Sequence, residues 1–290
     1  MDSIRAHMGW CATLRSTFNG VTDLPPEIDI SKPHSARQWD YFLGGKDNFA
    51  ADRAVADQVI AAWPGIRVSA RENRAFIGRA VRFLAGEAGI DQFLDIGSGL
   101  PTASNVHEVA QAINPAAYVV YVDNDPLVLA HARALLTSKP KGKCAYIHAD
   151  LREPEKILSA PATRGTLDFG RPIALILAAV VHFLIPEDEP ARIIKTLVGA
   201  LPSGSYVAAS HGTTEYGTQE EADAVLRPIK AGGGRVAPRD SSDFADLVFS
   251  GLELVPPGVV LLPEWRPNPH GGPQPGAREV GMNAGVARKP

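Results

Sequence analysis

From about residue 92 to about residue 226 the chain alternates short β-branched or aromatic runs with amphipathic stretches, and this rhythm limits the fold more than any other feature. Strand-like runs are read at 92–96, 117–123, 144–150, 173–182 and 205–210. Helical patterns at 102–113, 126–136, 153–159, 189–201 and 219–226 fall between or after them, the last ending at the approach of Pro228. Strand followed by helix, repeated, predicts βαβ units with right-handed crossovers. The unbroken apolar run from Ile173 to Val181 suits a central parallel strand, which helices cover on both faces. The expected class is α/β, a doubly wound, mostly parallel Rossmann-like sheet.

The two ends depart from that rhythm. Residues 1–34 lack periodicity, carry Pro25, Pro26 and Pro33, and read as a poorly ordered arm. Residues 35–89 read as a helical cap or lid, with one helix over 50–63 and a second from near Ser69 to about Ala88. In the second, Ile77, Val81, Leu84 and Ala88 recur at spacings of three and four, which makes one apolar stripe. Arg71, Glu72, Arg74, Arg79, Arg82 and Glu87 lie mostly off it. The core is assigned to 90–290. Two late strand candidates, 252–262 and 279–288, have no helix between them and predict an antiparallel hairpin at one sheet edge.

Composition sets outer bounds. Among 290 residues, 45% are hydrophobic and 21% charged, enough apolar material for a substantial core. The net charge of -3 supplies no global basic face for nucleic acid. Cys11 and Cys144 make no disulfide framework, and Cys144 reads as a small buried residue. The histidines show no metal-ligand spacing, so no metal is expected. No run is long and apolar enough to span a bilayer and no secretory pattern opens the chain, so a cytoplasmic protein without membrane contact is expected.

Chemistry concentrates at the strand ends. Asp95-Ile96-Gly97-Ser98-Gly99 closes the first strand and opens a helix, and its glycines permit a tight turn and close approach to a ligand. The second strand ends in Asp123, which can accept from both hydroxyls of a ribose. The third ends in Asp150, which can accept from an exocyclic amine. Three successive strands thus deliver a carboxylate to one edge, where open α/β sheets bind ligands.

The pattern resembles class I S-adenosylmethionine-dependent methyltransferases. It resembles still more a bacterial family of uncharacterised members carrying segments like Tyr41-Phe42-Leu43-Gly44-Gly45-Lys46-Asp47-Asn48-Phe49, Arg71-Glu72-Asn73-Arg74, Tyr121-Val122-Asp123-Asn124-Asp125-Pro126 and His148-Ala149-Asp150-Leu151-Arg152. The resemblance covers roughly 35–290. It implies S-adenosylmethionine as cofactor, held at its methionine end by Asp95, Gly97, Ser98 and Gly99. It implies ribose contacts from Asp123 and its neighbour Asn124, adenine contacts from Asp150 and Leu151, and a place for Ala179 beside the cofactor. The Tyr41 segment, with Gly45, is expected to close over the site, and Lys46 or Arg71 to pair with the methionine carboxylate. The plainer readings are an interhelical turn and a solvated helix face.

A nicotinamide dinucleotide fits less well. Thr102 stands at the third glycine position of G-x-G-x-x-G, and Asp95 would repel a pyrophosphate while suiting the cationic end of an amino acid. Residues 44–46 do not make a phosphate loop, since Asp47 stands where Ser or Thr is required. His182, at the expected end of the fourth strand, is the candidate general base, with pocket lining as its plainer role. His211 is a weaker candidate, and His148 is expected to point into the packing. Trp39, Trp63 and Trp265 are candidate pocket walls, with ordinary packing the plainer reading. No Asp/Asn-Pro-Pro-Tyr/Phe follows the fourth strand, so a small-molecule acceptor is expected rather than a nucleic-acid base. A cofactor-binding regulator without turnover is the second class of function.

Overall fold

The computed structural model describes residues 28–290 apart from 103, 136–137 and 269–271. Most of the expected arm, with Cys11, and Leu136 at the end of an expected helix lie outside the described residues. Residues 31–290 form one unit.

The sheet has the expected rhythm. Its strands are β1 (Gln92–Ile96), β2 (Tyr118–Asp123), β3 (Lys143–His148), β4 (Ala174–Ala178), β5 (Tyr206–Gly212), β6 (Glu253–Leu254), β7 (Val260–Leu261) and β8 (Met282–Arg288). The order is β3-β2-β1-β4-β5-β8-β6, with β7 also on β8. β1 to β5 pair in parallel, and β8 runs antiparallel to β5, β6 and β7. The chain winds outward from β1 to β3 and then returns to β4 on the other side of β1. Between the carboxyl ends of β1 and β4 lies the switch point where such sheets open a crevice.

Strand alternation builds two cores. Phe93, Val119, Tyr121, Ile176 and Ala208 face one side, while Leu94, Val120, Val122, Leu175 and Val207 face the other. On the first side pack α3 (Ile66–Arg82) and α4 (Val106–Ile113); on the second, α6 (Pro154–Ser159), α8 (Pro190–Ala200) and α10 (Ser241–Phe249). α5 (Pro126–Leu135) follows β2, α7 (Pro161–Arg164) precedes β4, and α11 (Ala277–Val280) precedes β8. Above the strand tips, α1 (Ser35–Phe42) and α2 (Ala50–Ala62) share a smaller cluster, Phe42, Ala56, Val59 and Ala70, with flanking Val225 and Ile229 of α9 (Gln219–Ala231). No helix among the described residues is long and apolar enough to cross a membrane.

Several boundaries differ from expectation for local reasons. The long helix begins at Ile66, and its last turn, Phe83–Glu87, relaxes to π geometry before Gly89 at φ 69°. α9 runs through Pro228, because Val225 and Ile229 pack on the cap cluster and tertiary contact outweighs the missing N–H. The expected strand at 252–262 is split into β6 and β7 around Pro256, Pro257 and Gly258, and residues 277–280 are helical. β4 stops at Ala178 rather than His182, because Ala179 takes φ 54°. Cys144 is half-buried, and burial pushes its thiol up to about 11. His148 is exposed, not packed inward, and its Nε2 lies 3.0 Å from the Asn124 carbonyl oxygen.

Candidate active site

A cleft of about 280 Å³ opens at the carboxyl ends of β1, β2, β3 and β4 and is roofed by residues 33–43 and 229–235. Its floor is the glycine turn. Gly97 and Ser98 donate to the Val122 carbonyl oxygen at 2.8 and 3.2 Å, which folds the turn back over β2. Gly97 has φ 75°, and a Cβ there would lie 2.6 Å from Val180 Cγ2. Gly99 has φ 66°, and a Cβ there would meet nothing within 4 Å. One glycine serves close packing, and the other keeps the backbone bare.

Asp95 is buried at the tip of β1, and Arg74 of α3 lines the same cleft. Burial pushes the Asp95 carboxyl up to about 7, against the pull of the Arg74 guanidinium, while Asp123 adds a like charge. Arg74 is lowered by the same burial and supported by Asp95; its Nη2 donates to Thr102 Oγ1. A carboxylate and a guanidinium in one cleft complement a zwitterionic amino acid.

At the next tip both Asp123 oxygens are oriented. Oδ2 accepts from the Gly99 N–H at 2.8 Å, and Oδ1 from the Asp125 N–H at 3.0 Å. Burial raises this carboxyl, and the two amides and His34 oppose the rise. Asp150 accepts from Asn124 Nδ2 and Arg152 Nη1, each at 2.8 Å, and from the Arg152 N–H. Arg152 Nε lies 3.3 Å from Asp188 Oδ1 without hydrogen-bond alignment, and Arg235 reaches the same oxygen at 2.9 Å. Beside β4, the Ala179 N–H donates to the carbonyl oxygen and to Oγ of Ser210, and Ser210 Oγ donates to Asn73 Oδ1 at 2.6 Å. The left-handed Ala179 is strained, and this buried chain from α3 holds it.

Asp95, Gly97, Ser98, Gly99, Asp123, Asn124, Asp150, Leu151 and Ala179 all line this one cleft; Tyr41, Gly45, Lys46, Arg71 and His182 do not. Tyr41 Oη donates to Asp57 at 2.8 Å, and Arg67 sits over its ring. Lys46 and Arg71 are exposed. Gly45 packs on Asp40, where a Cβ would fall 1.9 Å from Oδ1. His182 occupies a short 3-10 turn, Val181–Phe183, and its Nδ1 accepts from the Gly212 N–H at 3.3 Å. Burial, with Arg239 nearby, pulls its pKa to about 4. That ring is a neutral post between β4 and β5, turned away from the cleft. Of the tryptophans, Trp39 lines the cleft, Trp63 donates to the Arg278 carbonyl oxygen, and Trp265 is fully buried against Phe76.

Sequence reasoning passed over Asn73 and Arg74. The signal was present: stepping back three and four residues from Ile77 carries the apolar stripe of α3 onto both. It also passed over Asp40, His34 and Arg235, which carry no motif spacing.

The sequence profile described as S-adenosyl methyltransferase matches residues 21–290. A DUF574-family protein from Streptomyces avermitilis is 45% identical, with a TM-score of 0.86, the alignment covering 90% of this chain and 100% of that one. A protein from Thermobifida fusca, assigned as a methyltransferase, is also 45% identical, with a TM-score of 0.83 and coverage of 91% and 98%. No curated protein matches the chain. A profile match of this extent, on a cleft ringed by Asp95, Asp123 and Asp150, decides the assignment: the chain belongs to the S-adenosyl methyltransferase family and is an S-adenosylmethionine-dependent methyltransferase.

Proposed function

We propose that the cleft holds S-adenosylmethionine with its methionine end between Asp95 and Arg74, its ribose on Asp123 and its adenine beside Asn124, Asp150 and Leu151, and that the acceptor is a small molecule held under the roof of the cleft. Asp95 and Arg74 carry this reading, because one ligand end that is both ammonium and carboxylate satisfies both. The fit extends to the turn. The bare face of Gly99 leaves room where the ligand passes, and Asp123 is presented with both oxygens already oriented. A volume of about 280 Å³ is near the low end of the roughly 300–1,000 Å³ usual for small-molecule sites. That is the size of a small-molecule site, here taken up by the cofactor.

When bound, the cofactor supplies an electrophilic methyl group on a good leaving group. The protein's share is alignment, and a base matters only for an acceptor that arrives protonated. Ala179, left-handed at φ 54°, lines the cleft just after β4. Residues of 33–43 and 229–235 cover part of the cleft.

Calorimetry with S-adenosylhomocysteine and with NAD tests the site. Binding of the first and not the second is expected, and the reverse would end the reading. Formation of S-adenosylhomocysteine from S-adenosylmethionine in the presence of an acceptor separates an enzyme from a regulator that only binds.

A further inference from the structure

Asp40 lines the cleft from the last turn of α1, yet none of the cofactor roles above uses it. It is 7% exposed. The segment from Gly44 to Asn48 is folded around its carboxyl group. The Gly45 N–H donates to the Asp40 carbonyl oxygen at 2.8 Å. Asp40 Oδ2 accepts from the Asp47 N–H at 2.9 Å and from Asn48 Nδ2 at 2.8 Å. Asn48 is itself held, because Arg53 Nη1 donates to its backbone oxygen at 2.8 Å and to its Oδ1 at 3.0 Å. Gly44 makes the turn at φ 82°. Gly45 is bare because a Cβ would overlap the carboxyl group. Two hydrogen bonds thus fix Oδ2, with Arg53 holding one of the donors, while Oδ1 lies against the bare face of Gly45. Asp40 Oδ1 takes no hydrogen bond from any described residue and is not sealed from solvent.

We propose that Asp40 is the acceptor-binding carboxylate, that Oδ1 accepts a hydrogen bond from the nucleophilic nitrogen of an amine, and that the reaction is therefore N-methylation. The inference rests on the methyltransferase reading of the cleft. Two surroundings favour an amine over a hydroxyl or an acid. The neighbouring charges facing Asp40 are Asp47 on its own loop and His131 of α5. Asp47 adds negative potential, which His131, 3.7 Å from Asp47, partly opposes. The cleft wall next to Asp40 includes apolar and aromatic side chains, Trp39 on the same helix and Leu43 just after its end. An indole face beside a carboxylate suits an organic ammonium group. Burial also raises the Asp40 carboxyl, with Asn48 and the Asp47 N–H opposing the rise, so the group is a stronger proton acceptor than an exposed aspartate.

The step balances within these groups. The bound ammonium first passes one proton through Asp40 Oδ1 to solvent, and the freed lone pair then forms the new N–C bond as the methyl–sulfur bond breaks. The bonding pair stays on sulfur, which becomes a neutral thioether. The surplus proton on nitrogen passes to Asp40 Oδ1 and leaves to solvent with product.

The test uses the full chain saturated with S-adenosylhomocysteine and titrated with benzylamine, benzyl alcohol or benzoate, comparing wild type with Asp40→Asn. Asparagine keeps an oxygen at the cradled position and replaces only the free one with an amide. Benzylamine is expected to bind the wild type and to bind at least tenfold more weakly in Asp40→Asn, with no measurable benzyl alcohol or benzoate binding. S-adenosylhomocysteine affinity is expected within twofold in both proteins. Asn48→Ala, which keeps the carboxylate and loosens the cradle, is expected to weaken benzylamine two- to fivefold, and it serves if Asp40→Asn fails to fold. Equal benzylamine binding across the variants, preferential benzoate binding, or no amine binding to the wild type would overturn the proposal. A tenfold loss of S-adenosylhomocysteine with unchanged amine binding would overturn it too, by making Asp40 a cofactor ligand. Failure of the wild type to bind S-adenosylhomocysteine would instead strike the cofactor reading beneath it.

Discussion

Arg37 grips Asp125 in a bidentate pair, Nε to Oδ2 at 2.7 Å and Nη2 to Oδ1 at 3.0 Å, with the two side chains 3% and 0% exposed. The pair bolts α1, which roofs the cleft, to the turn after β2, which supplies Asp123. Asp125 Oδ1 also accepts from the Leu127 N–H, and the Asp125 N–H is one of the two donors on Asp123. Roof and ribose site are therefore one hydrogen-bonded assembly.

Arg37→Met removes the guanidinium from a fully buried carboxylate, which keeps the Leu127 N–H and His34 Nδ1 3.3 Å away. Breaking a buried pair on one side costs about 3–5 kcal/mol, and urea denaturation should show a loss of that size. Arg37→Lys restores the charge without the fork and should recover only part of it. A loss below about 1 kcal/mol in Arg37→Met, the scale of an exposed pair, would mean that the bolt is not sealed from water.

Asp95 gives cofactor affinity a pH dependence with a definite sign. Its carboxyl is raised from 3.8 to about 7, by burial first, with Arg74 opposing and Asp123 reinforcing. An ammonium group is held by the ionised form. The dissociation constant of S-adenosylhomocysteine should therefore rise by up to about tenfold per pH unit below about 7 and level off above it. The ligand-free protein carries the opposite trend. The raised carboxyl contributes stability that is full below 3.8 and is lost as pH rises through about 7. The difference between wild type and Asp95→Asn across pH 4 to 8 isolates that contribution. A wild-type binding curve flat from pH 5 to 8 would remove Asp95 from the ammonium site.

The two turn glycines separate packing from ligand clearance. Alanine at either position takes on about 1–2 kcal/mol of left-handed strain. At Gly97 the new methyl also meets Val180 at 2.6 Å, so Gly97→Ala should show the larger drop in melting temperature. Gly99→Ala meets no protein atom within 4 Å and should melt closer to wild type while losing cofactor affinity. Equal melting temperatures and unchanged affinity in both would mean that the turn tolerates a side chain on either face.

Much of this was legible because strand periodicity and strand-end chemistry are local. The runs ending at Asp95 and Asp123 needed no tertiary information, and β-tip carboxylates one strand apart must converge. What stayed hidden was set by contacts between distant segments. α9 passes through Pro228 because Val225 and Ile229 pack on the cap cluster. β4 stops at Ala178 because Asn73 and Ser210 hold Ala179 in a left-handed turn. His182 drew attention by standing after an apolar run, yet the same turn moves it out of the cleft. Asp40 had no spacing signal at all, since its two donors, Asp47 and Asn48, sit on a loop whose shape no periodicity encodes.

Arg71 and Arg74 put the helical reading of α3 to its sharpest test, since they share a sequence neighbourhood and differ by less than one turn. Arg71 is exposed, while Arg74 lines the cleft with Asp95 and donates to Thr102. A hydrogen bond between charged groups contributes about 1.5–3 kcal/mol. Arg74→Met should therefore weaken S-adenosylhomocysteine by roughly ten- to a hundredfold, and Arg71→Met should leave it within twofold. Arg74→Met has a second consequence that a packing role lacks. Removing the cation that opposes the rise in the Asp95 pKa should move the midpoint of the pH dependence of binding above about 7. A weakened site with an unmoved midpoint would place Arg74 on the carboxylate end alone. Equal losses from both arginines would mean that the stripe of α3 does not decide which of them meets the ligand.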